Sequence, residues 1–315
     1  MRSLRLRVAE LTDLAPTVRR FALRDPRGSA LPAYEPGAHV VVTTPAGHRR
    51  SYSLVDPGGA RPSEYVVCVR RDDGGRGGSV SMHDDVAMGT ELVVSPPDNR
   101  FPLEPAARYL FIAGGIGITP IRAMVRRVRA DGRGGARLLY LTRSAEDTPF
   151  LREFDGPEDT VHHSADRGRL DLWPHLAVPD DDARVYCCGP APLLRAVRAL
   201  TAHWRASRVH LEEFTAGRAG PSAPFTAVWA PDGRRVAVPA HLSLLAALRR
   251  DGIPVESSCE SGTCGTCRLA LLGGEVEHRD SALTGADRLG SLAACVSRAR
   301  SPEIVVGPNE SEGSV

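Results

Sequence analysis

Four of the chain's seven cysteines fall within residues 259–295. Cys259, Cys264 and Cys267 are spaced C-x4-C-x2-C, and Cys295 follows after 27 intervening residues. That pattern limits what the surrounding chain can fold into. A tight bend must present three thiols, and a remote segment must return to deliver the fourth. A pair of irons, each needing two thiolates, asks for this arrangement, and the spacing is that of plant-type [2Fe–2S] proteins. Gly262 and Gly265 carry no Cβ, so the backbone between the cysteines can wrap closely. Neighbouring N–H groups can then point at sulfur and help set its potential. Ser257, Ser258, Ser261 and Thr266 add small polar groups to the bend. Two other chemistries use part of the set. Cys264 and Cys267 alone form a thioredoxin-like C-x-x-C, which belongs at the start of a helix in a βαβ unit and leaves Cys259 and Cys295 unexplained. A structural zinc site normally shows two short pairs, whereas Cys295 stands alone. The spacing favours the iron pair.

Cys68, Cys187 and Cys188 lie in apolar, strand-like runs, the setting of small buried hydrophobes. Seven cysteines in 315 residues are too few for a disulfide scaffold, so a reducing, cytoplasmic location is expected. The chain carries 40 basic and 38 acidic residues, net +2, and every basic residue is Arg, which we read as base-composition bias. This balance argues against general nucleic-acid binding and against a polybasic membrane anchor. No run of 18 apolar residues occurs, so no transmembrane helix is expected. Residues 1–10 lack the apolar core of a secretory signal.

The pattern divides the rest of the chain. Residues 1–104 read as short strands, such as Leu4–Val8, Val40–Thr43, Tyr65–Arg70 and Glu91–Val94, punctuated by Pro/Gly turns, and so as an antiparallel β-barrel. From 105 to 215, strands alternate with helices, which predicts a parallel-sheet α/β domain. There Tyr109–Ala113 leads through Gly114-Gly115-Ile116-Gly117 into a helix with Ile121, Met124, Val125 and Val128 on one face. Thr119 is expected to cap that helix, with Pro120 at its first position. Residues 216–224 read as a linker. Residues 225–315 open with a hairpin and a helix at Ser243–Arg250 before the cysteines, and are expected to form an α+β, β-grasp-like domain.

Two further clusters carry chemistry. The glycines at 114–117 let backbone N–H groups approach a pyrophosphate at a helix start, although the strict G-x-G-x-x-G fingerprint is missing and a tight turn explains them equally well. Cys188-Gly189-Pro190 follows another predicted strand at the same sheet edge, where open α/β sheets bind ligands. In the barrel, Arg50 offers a planar donor fork, Ser79 a hydroxyl, Gly77 and Gly78 close backbone approach, and Tyr52 an aromatic face. These suit a flavin phosphate and ring, and they equally suit an ordinary surface pair beside a glycine loop. The histidines form neither a Rieske ligand set nor a mononuclear iron site.

Taken in order, R-x-Y-S at 50–53, G-R-G-G-S at 75–79, G-G-I-G-I-T-P at 114–120, C-G-P at 188–190 and the four cysteines resemble the phthalate dioxygenase reductase family, within the ferredoxin–NADP reductase superfamily. The resemblance spans nearly the whole chain. It implies FMN, a nicotinamide cofactor and a [2Fe–2S] cluster held by Cys259, Cys264, Cys267 and Cys295. It places Arg50 and Ser79 at the FMN phosphate region, with Ser51, Gly77 and Gly78 also among the cofactor-binding residues, Tyr52 against the ring, Ser53 at its N5 edge, and Val69 and Arg70 in contact with the flavin. Gly115, Thr119, Cys188 and Gly189 would bracket the nicotinamide end, with Gly114, Gly117 and Pro190 also among the nucleotide-binding residues, and Phe214 would approach the flavin. The reacting groups would thus lie among Tyr52, Ser53, Thr119, Cys188 and Phe214. Arg143 and Ser144 stand where a ribose-binding acid would end the strand Leu138–Thr142. Arg143 could take the 2′-phosphate of NADPH, but relatives with a similar arginine mostly prefer NADH, which is the expectation here.

The implied partner is a separate terminal oxygenase docking near the ferredoxin domain, first a Rieske-type oxygenase or demethylase and second a haem-thiolate monooxygenase. Residues 225–315 hold 9 Arg and 11 acidic residues, net −2 against +4 elsewhere. Glu256, Glu260, Glu275, Glu277 and Asp280 are therefore expected to form an acidic docking face, with a merely solvated surface as the plain alternative. Readings of a different class are a ferredoxin-like carrier that has lost flavin, and a thiol–disulfide protein using Cys264 and Cys267.

Overall fold

The computed structural model describes residues 3–132, 134–214, 223–257, 260, 262, 264–280 and 282–309. Cys259 and most of the expected linker lie outside the described residues. The chain forms two compact units, Met1–Phe214 and Thr215–Val315.

The first unit begins with β1 (Leu4–Ala15), β2 (Val18–Arg24), β3 (Ala38–Thr43), β4 (Arg49–Ser53), β5 (Tyr65–Arg70), α1 (Gly78–Asp84), β6 (Glu91–Val94) and β7 (Asp98–Asn99). The strands run antiparallel in the order β4-β3-β6-β1-β2-β5, with β7 on β3. An antiparallel bridge between Leu54 and Val67 joins the two ends and closes the barrel. Alternate residues point inward: Leu6 and Val8, Phe21 and Leu23, Val40 and Val42, and Tyr65, Val67 and Val69 share one core with Met82 of α1. β1 is much longer than its apolar alternation suggests. Its second half has no fully buried residue: Leu11, Leu14 and Ala15 pack only partly against the core, and cross-strand ion pairs to β2, Arg20–Glu10 at 2.9 Å and Arg19–Asp13 at 2.6 Å, line its exposed side.

The same unit continues with β8 (Arg108–Gly114), α2 (Ile118–Asp131), β9 (Gly135–Thr142), β10 (Asp159–His163), α3 (Ser164–Arg167), α4 (Trp173–Leu176), β11 (Ala183–Cys188), α5 (Ala191–Leu200) and β12 (Val209–Glu212). These strands are parallel, in the order β10-β9-β8-β11-β12. From β8 the chain winds one way through β9 and β10, then returns to β11 on the other side. The carboxyl ends of β8 and β11 therefore flank a topological switch point, where such sheets bind ligands. Ile121, Met124, Val125 and Val128 of α2 pack on Phe111 and Tyr140, as their spacing predicts. The helix starts earlier than expected. Its first residue is Ile118, so Pro120 is third, still within the turn whose N–H groups lack intrahelical partners. Thr119 is not the cap: its hydroxyl donates to the Ile116 carbonyl at 3.0 Å.

The second unit contains β13 (Phe225–Trp229), β14 (Arg234–Val238), α6 (Leu244–Arg250), β15 (Arg268–Gly273), β16 (Val276–Glu277), β17 (Ser291–Ala293), β18 (Arg298–Ala299) and β19 (Glu303–Gly307). Its main sheet runs β14-β13-β19-β15-β17, with β13 and β19 parallel, while β16 and β18 form a separate ribbon. Ser243 caps α6, accepting the Ala246 N–H at 3.1 Å. Leu244, Leu245, Ala247 and Leu248 then cover the sheet in a β-grasp arrangement.

Arg298 is a buried charge inside this unit. Its guanidinium donates to the carbonyls of Leu242, Ala223 (2.8 Å) and Pro239 (3.3 Å), and lies 4.7 Å from the Phe225 ring centroid. Arg298→Met would leave these carbonyls in a site with reduced access to water. We expect a loss of about 2 kcal/mol, read as a lower denaturant midpoint for this unit with the slope unchanged.

Candidate active site

The cysteine bend is shaped by backbone conformation. Gly262 and Gly265 adopt left-handed φ values of 78° and 75°, and Glu260 joins them at 51°. At Gly262 a Cβ would lie 2.7 Å from a Val296 methyl and 3.1 Å from the Asp280 Cα, so only glycine fits there. Cys264, Cys267 and Cys295 are all buried. The Thr266 N–H points at the Cys264 sulfur over 3.5 Å. Cys295 is brought back by strand register. Arg268 of β15 pairs with Ala293 of β17, and the next step along the ladder is the Ala294 N–H donating to the Cys267 carbonyl at 3.1 Å. α6 fastens the same segment through the Leu245 N–H to the Ala294 carbonyl, 2.9 Å. No group of three or more His, Cys, Asp and Glu side chains able to hold a metal occurs among the described residues. Cys259 is outside them. The buried thiols, the positive-φ bend and the N–H aimed at sulfur fit a [2Fe–2S] cluster.

Asp280 is not a docking charge. Its side chain is fully buried behind the bend, accepting the Leu283 N–H at 2.9 Å and the Ser297 hydroxyl at 3.4 Å. Glu260 is tied to Arg249 (3.0 Å) and Ser257 (2.9 Å), and Glu277 to Arg279 (2.8 Å). Of the five acids expected to form a face, Glu256 and Glu275 remain exposed.

In the barrel, the Leu54–Val67 bridge sets the segment after Ser53 beside β5, which carries Val69 and Arg70. Arg50 lies across the start of α1. A Cβ on Gly78 would come within 2.6 Å of the Arg50 Nε, and the guanidinium donates to the Arg76 carbonyl at 2.9 Å. Gly77 precedes the helix at φ 74°. The buried Ser51 hydroxyl has no partner among the described residues, while burial raises the Tyr52 phenol far above its usual range. Ser79 is engaged internally, its hydroxyl accepting the Asp72 N–H at 3.0 Å. The Arg50 fork, the glycine cradle and the orphaned hydroxyl fit FMN.

At the sheet switch point, two loops meet backbone to backbone. A Cβ on Gly117 would fall 2.2 Å from the Cys188 carbonyl oxygen, and one on Gly189 would fall 3.1 Å from the Gly114 Cα. A Cβ on Gly114 would strike Pro190 at 2.8 Å. The glycines thus let the two turns meet at the strand carboxyl ends, the edge at which such sheets bind a dinucleotide, so the residues fit one. Thr119 is buried there, and Phe214 packs against the adjoining core. Arg143 and Ser144 lie at the end of β9, on the other side of β8 from Cys188. Ser144 is bonded to Asp147 at 3.0 Å. The nucleotide turn also abuts the barrel: Ile116 packs against Val66, Cys68 and Val55.

One member of this site escapes the sequence reading. Glu212 is the partner of Cys188 in the β11–β12 ladder, and its Oε2 lies 3.9 Å from the Cys188 sulfur. Burial pushes the Glu212 carboxyl up to about 8. Burial, reinforced by Glu212, holds the Cys188 thiol well above its normal value. The signal in sequence is only an acid near the end of a strand.

A flavin barrel, a nucleotide-binding sheet and a cysteine bend in one chain define an oxidoreductase that uses a nicotinamide dinucleotide, FMN and a [2Fe–2S] cluster. A family model described as a 2Fe-2S iron-sulfur cluster binding domain matches residues 228–300. Phthalate dioxygenase reductase of Burkholderia cepacia is 42% identical over 314 residues, covering 96% of this chain and 97% of that one. The solved structure of a phthalate dioxygenase reductase matches with TM-score 0.83 at 40% identity, over 97% of this chain and 98% of the other. An intact type IV self-sufficient cytochrome P450 monooxygenase matches at TM-score 0.74 and 36% identity, over 96% of this chain but 41% of its own. The chain belongs to the phthalate dioxygenase reductase family.

Glu212 makes a pH prediction. Its folded value of about 8 exceeds the ordinary 4.5, so the folded chain keeps a proton that the unfolded chain releases. The stability this contributes is complete below pH 4.5 and is lost as pH rises through about 8. Thermal unfolding midpoints should decline over that window, and Glu212→Gln should remove this part of the decline.

Proposed function

We propose that this chain is the reductase component of a multicomponent oxygenase, carrying electrons from NADH to a separate terminal oxygenase. FMN held by the barrel would supply two-electron acceptance of a hydride, and a [2Fe–2S] cluster held by the cysteine bend would supply single-electron transfer onward. The observation that carries the reading is the β15–β17 register, which returns Cys295 to Cys267 and so supplies a remote thiol that a dithiol enzyme would not need.

The chain's own residues hold and align these groups. Arg50, Ser51, Gly77 and Gly78 bind the flavin phosphate, with Ser79 keeping their loop closed. Tyr52, Ser53, Val69 and Arg70 line the flavin ring. Gly114, Gly115, Gly117, Gly189 and Pro190 let the nucleotide approach the sheet edge. Arg143 and Ser144 face its ribose end. Thr119 and Phe214 border the nicotinamide pocket. Glu212 holds a proton and Cys188 keeps its thiol hydrogen, so the pair carries no charge at neutral pH. Residues 1–104, 105–215 and 225–315 act as flavin, nucleotide and ferredoxin modules. Cys259 completes the cluster with Cys264, Cys267 and Cys295.

The partner docks near the ferredoxin module, where Glu256 and Glu275 are the acids left exposed for a basic patch. A Rieske-type oxygenase or demethylase is the first reading. A haem-thiolate monooxygenase is the second, favoured by the likeness to a self-sufficient cytochrome P450 that holds such a reductase in its own chain. Among the described residues no helix is long and apolar enough to cross a membrane. The thiolate cluster suits a reducing, cytoplasmic setting.

Iron, acid-labile sulfide and flavin analysis of the purified chain tests this directly. About two irons, two sulfides and one FMN per chain are expected. Cys295→Ser should deplete the iron while NADH still reduces the flavin. Zinc or a disulfide in place of iron would refute the assignment.

A further inference from the structure

Arg122 sits one turn into α2 beyond Thr119, with a side chain only 12% exposed. Its guanidinium spans three neighbours. Nε donates to Glu153 at 2.7 Å, while Nη1 donates to Asp56 at 2.7 Å and to the Val55 carbonyl at 2.9 Å. Its flat face lies 4.5 Å from the centroid of the Phe150 ring. Phe150 adopts a left-handed φ of 61°, a conformation rarely taken by a bulky residue, and packs into the seam that also holds Ile116 and Val55.

These contacts join two short, stiff segments. Val55 and Asp56 follow the flavin-facing Ser53 by two and three residues, while Arg122 follows the nicotinamide-facing Thr119 by three. We propose that Arg122 is a positioning residue for hydride transfer, fixing the flavin strand of the barrel against the nucleotide turn of the α/β sheet. This rests on the flavin and nucleotide assignments given under Proposed function. The planar fork suits the task, because it holds its donors to a backbone carbonyl and two carboxylates in fixed directions, whereas a rotating ammonium on a flexible stem fixes them less well. Arg126 shares Asp56 at 2.7 Å but is half exposed, so it supports the seam from outside.

The test is anaerobic stopped-flow reduction of the full-length holoprotein by NADH, and by NADH deuterated at the transferred hydrogen. For Arg122→Met we expect the flavin-reduction rate to fall about 10- to 100-fold, since misplacement near 1 Å costs that much. The NADH concentration for half-maximal rate should change little. FMN content and the cluster spectrum should be retained, with an undiminished isotope effect. Arg122→Lys should recover part of the rate. Arg129→Gln, in the last turn of the same helix and away from the seam, breaks an ion pair with Asp159 of β10 and should leave the rate unchanged. If Arg122→Met does not fold, Asp56→Asn and Glu153→Gln test the same contacts, each with an expected loss of several-fold.

Flavin reduction within twofold of wild type in a folded Arg122→Met chain would overturn the proposal, as would a slow rate explained wholly by lost FMN. A wild-type holoprotein whose flavin NADH does not reduce would instead refute the functional reading beneath it.

Discussion

The second unit depends on an antiparallel ladder only three residue pairs long. β15 and β17 pair at Arg268–Ala293, Leu269–Leu292 and Ala270–Ser291. Cys267 and Cys295 lie just beyond its end, where the Ala294 N–H still bonds to the Cys267 carbonyl. A one-residue slip in such a ladder would turn every side chain to the opposite face. The cross-strand pair Leu269–Leu292 guards against that slip, because both side chains are needed inside. Core packing and ligand delivery are therefore one constraint, and Cys267 and Cys295 are themselves members of the core.

The first unit is organised by close backbone approach. The turn after β8 and the turn after β11 pack so tightly that a methyl group on Gly117 would collide with a carbonyl. That proximity leaves Cys188 no route to solvent and sets it beside Glu212, and the buried carboxyl then keeps its proton. The same nucleotide turn leans on the barrel through Ile116, with the Arg122 cluster beside it. Two sheets of different construction thus share one apolar seam, in which the segment after β4 and the turn after β8 are neighbours.

Much of this is legible from residue order alone, for identifiable reasons. The cysteine spacing reports ligand chemistry, which imposes its own distances whatever the fold. The apolar face of α2 and the alternation in β3 and β5 report burial directly. Glu212 could not be read so, because its meaning comes from the pairing of β11 with β12, a contact between residues 24 positions apart. Asp280 misleads in the opposite sense: a charged residue among polar neighbours reads as surface, yet it is enclosed by Leu283, Ser297 and Arg288. The outer half of β1 is faint to hydrophobic periodicity because its apolar residues are only partly buried and its exposed side carries ion pairs. Local composition cannot show an interaction whose partner is set by the topology.

One polypeptide carries both a two-electron acceptor and a one-electron carrier. Anaerobic titration of the full-length protein with NADH, followed by visible absorbance, counts those electrons. Complete bleaching of flavin and cluster after about one and a half NADH per chain is the predicted result, two electrons for the flavin and one for the cluster. An end point at a single equivalent, with iron present but its absorbance unmoved, would contradict the account.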